Sequence, residues 1–177
     1  YRDHAFELIR MEDEDLARWT GSPTTLERRA IDVEVLDPVG ANIASPQGLF
    51  LATIGADGLL FWADGAAIYR GLRYGNATTF LQDALLVEAE DDWVGNPTPL
   101  VVDGAPAIAY EARASADDLA GDIELAIAAE GESYLRLETP LLAAADTGWL
   151  ALGDPFIVAD DTSRGYRMWL SLWDGAR

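Results

Sequence analysis

Pro38, Pro97 and Pro155 stand 59 and 58 residues apart, and each directly follows an Asp or Asn. The last two share more than the proline. Leu85-Leu86 leads through a small and acidic run to Trp93 and then Gly95-Asn96-Pro97. Leu141-Leu142 leads through a similar run to Trp149 and then Gly153-Asp154-Pro155. Val35-Leu36-Asp37-Pro38 repeats the end of that pattern. A second landmark keeps the phase: Ala63-Asp64-Gly65 precedes Tyr69-Arg70, Ala129-Glu130-Gly131 precedes Leu135-Arg136, and Glu12-Asp13-Glu14 precedes Ala17-Arg18-Trp19. A fixed period marks one repeated supersecondary unit, because each unit buries its apolar face only against a neighbour.

Each period holds short β-like runs separated by Gly, Asp or Glu turns. In the middle copy they are residues 100–103, 107–112, 123–128 and 133–137; in the first copy they are 41–45, 49–54, 59–63 and 67–71. The pattern predicts an all-β chain: a β-propeller of three four-stranded blades, with repeats at about 37–95, 96–153, and 154–177 joined to 1–36. In the third, residues 156–160 and 166–173 supply two strands and residues 5–11 and 16–19 the other two, so this blade is shared between the termini and leaves no open edge. An ordinary ring needs roughly four to eight blades. Three therefore imply a homodimer or a piece of a longer propeller. A β-sandwich from the same strands is the alternative. The first residue is Tyr1, not Met, which fits a mature form or a fragment.

The net charge of −19, from 12 basic and 31 acidic side chains, repels phosphate backbones and anionic lipid. Nucleic acid is therefore not an expected partner. No apolar run approaches the roughly 20 residues that cross a bilayer, so no membrane insertion is expected. The absence of cysteine excludes thiol catalysis, disulfides and zinc-thiolate sites. The acidic clusters 12–15, 88–92 and 160–161 lack EF-hand spacing. They read as solvated turns, with Ca²⁺ binding as the alternative, and no cofactor is expected. His4 is the single histidine, it lies near the terminus, and no Gly-x-Ser-x-Gly elbow is present.

The segments Gly153-Asp154-Pro155-Phe156-Ile157-Val158 and Gly165-Tyr166-Arg167-Met168-Trp169-Leu170-Ser171 resemble blades of the five-bladed β-propeller glycosidases, of the arabinanase, invertase and levansucrase type, together with the mannoside phosphorylases. Blades of that superfamily begin with an acidic residue and Pro, and after a turn run Tyr-Arg-Met-Trp-Tyr. Residues 97–113 and 38–53 follow the pattern more loosely, and residues 121–131 resemble the strand before its Asp-Gly turn.

The resemblance implies catalytic carboxylates at the acid-Pro positions of innermost strands, which here are Asp37, Asn96 and Asp154. Glycoside hydrolysis requires two carboxyl groups on either side of the scissile bond. Asn96 cannot exchange a proton, and no Glu-Pro start occurs, so Glu111 is the spare candidate for the acid although it lies at the end of a second strand. The bland reading is that Asp37, Asn96 and Asp154 cap turns. Trp62 and Trp169 are candidate sugar platforms alongside Asn96 as a ligand contact, whereas Trp93 and Trp149 recur in phase as packing residues. The expected function is a carbohydrate-directed propeller that binds rather than completes catalysis. The alternatives are a glycoside hydrolase or phosphorylase-like enzyme using channel carboxylates, and a structural repeat of a larger secreted protein. The resemblance also implies an extracellular or periplasmic location.

Overall fold

The computed structural model of the chain describes residues 6–12, 15–22, 25–31, 34–40, 43, 47–54, 57–74, 79–90, 92–129, 134–160 and 165–174, with backbone alone over 6–34 and 47–57. The fold is all-β, with one short helix among the described residues. Strands β1 (Phe6–Glu12), β2 (Asp15–Ser22) and β3 (Thr25–Ile31) form an antiparallel meander. Strands β5 (Gln47–Ile54), β6 (Asp57–Ala63), β7 (Ala67–Arg73) and β8 (Thr79–Glu88) form a second sheet, extended by β4 (Glu34–Leu36), which pairs in parallel with β8. The third sheet runs β9 (Trp93–Val102), β10 (Ala105–Arg113), β11 (Gly121–Ala128) and β12 (Tyr134–Arg136). After α1 (Ala144–Thr147), β13 (Ala151–Asp160) and β14 (Gly165–Trp173) pair as a two-stranded sheet.

Local chemistry accounts for the tight connections. Asp103 (φ 50°) and Gly104 (φ 84°) join β9 to β10 with Val102 paired to Ala105, the two-residue hairpin that positive φ at both central positions builds. Between β6 and β7, Asp64 Oδ1 accepts the N–H groups of Ala66 and Ala67, each at 2.9 Å. Among the first strands of the sheets, β1 lies against β5, β5 against β9, and β9 against β13.

Alternation along the strands splits the apolar residues between two faces. On β6, Leu60 and Trp62 join Val35 and Phe80 on one side, while Phe61 and Ala63 face the third sheet with Ile68 and Val87. On β10, Ile108, Tyr110 and Ala112 turn toward the second sheet, whereas Ala107 and Ala109 pack with Leu152 and Ile157 of β13. The third sheet is thus covered on both sides, which is why six consecutive residues of β10 are buried.

Three sheets carry a bulge at a matching place. Gly48 and Leu49 oppose Trp62, Asn96 and Pro97 oppose Tyr110, and Asp154 and Pro155 oppose Leu170. An extra residue leaves the ladder locally unpaired and bends the strand. Asn96 and Asp154 adopt φ of 49° and 48°, the left-handed region that Asn and Asp tolerate better than most residues.

Several sequence expectations change against this arrangement. The described strands fall into four sheets of three, five, four and two strands, not three four-stranded units. The expected sharing of one blade between the termini is not seen: β13–β14 and β1–β2 belong to separate sheets, and β3 completes the first meander. The run at 41–45 lies outside the described residues except Ile43, and the second sheet instead takes β8 as a further strand. His4, Asp13, Glu14, Asp91, Glu130, Gly131 and Asp161 also lie outside them. No helix is long and apolar enough to cross a membrane among the described residues.

Trp62, expected as a sugar platform, is corrected to a core residue. Its ring is fully buried, stacks on Tyr69 at 5.7 Å, and lies against Gly71. Trp62→Ala is expected to cost about 3–5 kcal/mol, read from urea unfolding midpoints. Burial first, then a hydrogen bond to Asp64, pushes the Tyr69 phenol from 10.0 up to about 12. A raised folded value means that its contribution to stability is full below the unfolded value of 10.0 and is lost as pH rises through about 12. Unfolding midpoints are therefore expected to fall across that alkaline window, and by less in Tyr69→Phe.

Candidate functional site

Glu111 sits near the end of β10, directly opposite the start of the β9 bulge, where it pairs with Gly95. Only 1% of its surface is exposed. Its Oε2 accepts the side-chain N–H of Asn96 at 2.9 Å and the backbone N–H of Asp154 at 3.4 Å. Its Oε1 takes Nε of Arg113 and forms the ion pair with Nη2 of the same guanidinium. One carboxylate therefore ties the bulge of β9 to the bulge of β13. Two glycines make room for it: a Cβ at Gly153 would stand 3.0 Å from Oε2, and one at Gly121 would stand 3.2 Å from Oε1.

Arg113 is held from a second direction, with its guanidinium 4.8 Å above the centre of the Trp93 ring. Trp93 itself covers two glycines, since a Cβ at Gly65 or Gly95 would meet its ring within 2.6 Å. Trp149, in phase with Trp93 in the sequence, is 39% exposed and follows α1, so the two tryptophans do not share a packing role.

Beside the clasp opens a cleft of about 320 Å³ lined by Arg113, Leu119, Gly153, Asp154, Ser171 and Trp173, among others. Asp154 is exposed there, and its carboxylate makes no ion pair among the described residues. Ser171 and Trp173 oppose Gly153 and Ala151 across the β13–β14 ladder. Trp169 lies on the same side of β14 as these two, because alternate residues share a strand face. It is 52% exposed and tilts against Phe156 at 5.8 Å. Strand rise places Trp169 and Trp173 about 13 Å apart.

The sequence-based candidates divide accordingly. Asn96, Glu111 and Asp154 come together in one hydrogen-bonded group, and Trp169 stands on the strand face beside it. Asp37 does not join them. It follows β4, away from any bulge, and its Oδ1 accepts the N–H of Val39 at 3.0 Å while its carbonyl accepts that of Gly40. In the second sheet the bulge falls at Gly48-Leu49, so the Asp37-Pro38 match is a turn signal out of register with the other two. Sequence reasoning did not single out Arg113 or Ser171 for the site. Their signal is positional, being the strand ends opposite or next to the bulges.

Farther along the same sheet, Tyr110 donates to Glu124 at 2.7 Å, and Arg136 bridges Glu124 and Asp92. Burial, then the bond to Glu124, raises the Tyr110 phenol well above its ordinary value. This group ties β10, β11 and β12 to the segment entering β9. It stands apart from the cleft. No cluster of three potential metal ligands occurs among the described residues.

Removing one partner of a buried ion pair leaves the other charge uncompensated. Glu111→Ala is expected to lower stability by about 3 kcal/mol in urea unfolding. Arg70→Ala, which breaks a pair exposed by 26% and 21%, is expected to cost less than about 1 kcal/mol.

No protein-family model matches the chain, and no curated protein matches it significantly. Solved structures do. An endo-1,4-β-xylanase from Bacteroides thetaiotaomicron aligns over 97% of this chain and 67% of its own, with TM-score 0.62 and 11% identity. An α-L-arabinofuranosidase from Lactobacillus brevis aligns over 97% and 66%, with TM-score 0.62 and 14% identity. A thermostable family-43 glycoside hydrolase aligns over 94% and 64%, with TM-score 0.57 and 12% identity. The chain thus spans about two thirds of the length of these proteins. In its fold, the chain is similar to the superfamily of five-bladed β-propeller glycosidases.

Proposed function

We propose that this chain is a carbohydrate-directed β-propeller module that binds a glycan in the cleft beside Asp154. One observation carries the reading: Asp154, exposed and without an ion pair among the described residues, lines one concave surface together with Ser171 and Trp173. A sugar ring presents hydroxyls at its edge and C–H groups on its face, so a carboxylate or hydroxyl beside an aromatic ring serves both. Trp169 is exposed farther along the same strand, beside Phe156 and outside the cleft lining. The glycosidase neighbours, named for action on glycans, support a carbohydrate as the ligand.

Binding is favoured over hydrolysis by the disposition of the carboxylates. Hydrolysis requires two carboxyl groups that both reach the substrate. The second here, Glu111, is buried and already holds Arg113, Asn96 and Asp154. Asp37 has no part in the cleft, and Asn96 supports it from below. The four sheets are read as blades, with the ring completed by a second copy or by further chain, and an extracellular or periplasmic setting suits a glycan-binding role. No cofactor is invoked.

The hydrolase reading keeps one supporting observation, that the structural neighbours are glycoside hydrolases. The structural-repeat reading takes exposed Phe156, Val158 and Trp169 as a face for a further sheet. A glycan panel followed by titration calorimetry separates the three. Saturable binding without product release is expected, weakened at least about tenfold by Asp154→Ala or Trp173→Ala. Turnover abolished by Asp154→Asn would establish hydrolysis instead, and absence of any glycan binding would favour the structural repeat.

A further inference from the structure

The charges around the cleft are not balanced in the way its lining suggests. Arg113 is the cation on its wall, yet Nε and Nη2 are both engaged by Glu111, and the guanidinium plane lies over Trp93. The Glu111 side chain is 2% exposed, so it cannot turn away to water and release Arg113 without uncovering a buried charge. Asp154 has no such partner among the described residues and faces the opening. Among the described residues, the cleft therefore offers a ligand one uncompensated charge, and it is negative. The net charge of −19 adds a field of the same sign.

We infer that the cleft selects amine-bearing saccharides over neutral ones and excludes uronic acids, with Glu111 setting that preference by neutralising Arg113. This rests on the reading of the cleft as a glycan site. The ammonium of an amino sugar makes a charge-assisted hydrogen bond with the Asp154 carboxylate, stronger than the bond a hydroxyl makes there. A uronate carboxylate meets Asp154 at close range and finds no free cation among the described lining residues to offset it. Glu111 touches no ligand in this account. It acts through Arg113, as a specificity-determining residue behind the wall.

The test uses titration calorimetry of the whole chain at low ionic strength, at a pH where the sugar amine is protonated. The probes are three oligosaccharides of equal length: a β-1,4-glucosamine oligomer, its N-acetylated counterpart and an oligogalacturonate. The wild type is expected to bind the amine oligomer about tenfold tighter than the acetylated one, with no measurable uronate binding. Added salt should shrink that difference. Asp154→Asn, an exposed change to a residue that also tolerates left-handed backbone, should abolish the preference for the amine oligomer over the acetylated one. Glu111→Gln, checked for folding by near-ultraviolet circular dichroism, frees the guanidinium and should raise uronate affinity by about tenfold. Uronate binding to the wild type as tight as the amine oligomer, or a preference that survives Asp154→Asn, overturns the inference while the glycan site stands. Failure of all three probes on the wild type overturns the site together with the inference.

Discussion

A single buried carboxylate holds together the part of this molecule where regular pairing stops. At the bulges of β9 and β13 the ladder skips, and Asn96 and Asp154 fall outside the regular pairing. Glu111 accepts from both, through the Asn96 side chain and the Asp154 amide, and is itself neutralised by Arg113. Buried polar groups are tolerable when each has a partner. The clasp supplies those partners across two sheets at once. The position of Asp154, the direction of Arg113 and the shape of the cleft all follow from it.

The apolar packing is consistent with that role. The third sheet is covered on both faces, by Phe61, Ile68 and Val87 from one neighbour and by Leu152 and Ile157 from the other. Covered in this way, it forms a rigid frame on which the Glu111 end of β10 is fixed. The fourth sheet is different: Met168 and Leu170 pack inward while Phe156 and Trp169 remain exposed. An aromatic surface on this sheet is a place where contact with something else would bury apolar area.

Much of the class was legible in the residues. Short apolar runs between Gly and Asp turns gave all-β, and the Asp103-Gly104 pair marks the hairpin it forms. The blade resemblance at residues 153–171 pointed to the same glycosidase fold that the solved structures share. The count of units was not legible, for physical reasons. β3 carries Glu27, Arg28 and Arg29 and so lacks a run of apolar residues. β8 ends in Leu85–Glu88, which reads equally well as a lead into Trp93. Asp-Pro marks a turn as readily as a bulge, which is why Asp37 matched Asp154 in sequence without matching it in space. The cleft itself depends on strand pairing, which sets Ser171 and Trp173 opposite Gly153 and Ala151. No local pattern announces such a juxtaposition.

The left-handed backbone at Asn96 and Asp154 also limits what chemistry those positions can evolve. With φ near 50°, Asn, Asp and Gly are accommodated, while a longer or branched side chain adds strain. Each position therefore favours a short carboxylate, a short amide or no side chain. A Glu or Lys would enter at a backbone cost of about 1–2 kcal/mol unless the bulge itself was rebuilt. The chemical alphabet of this rim is written by its backbone torsions, so exchanging Asn for Asp is the cheapest step by which such a site gains or loses a proton-carrying group.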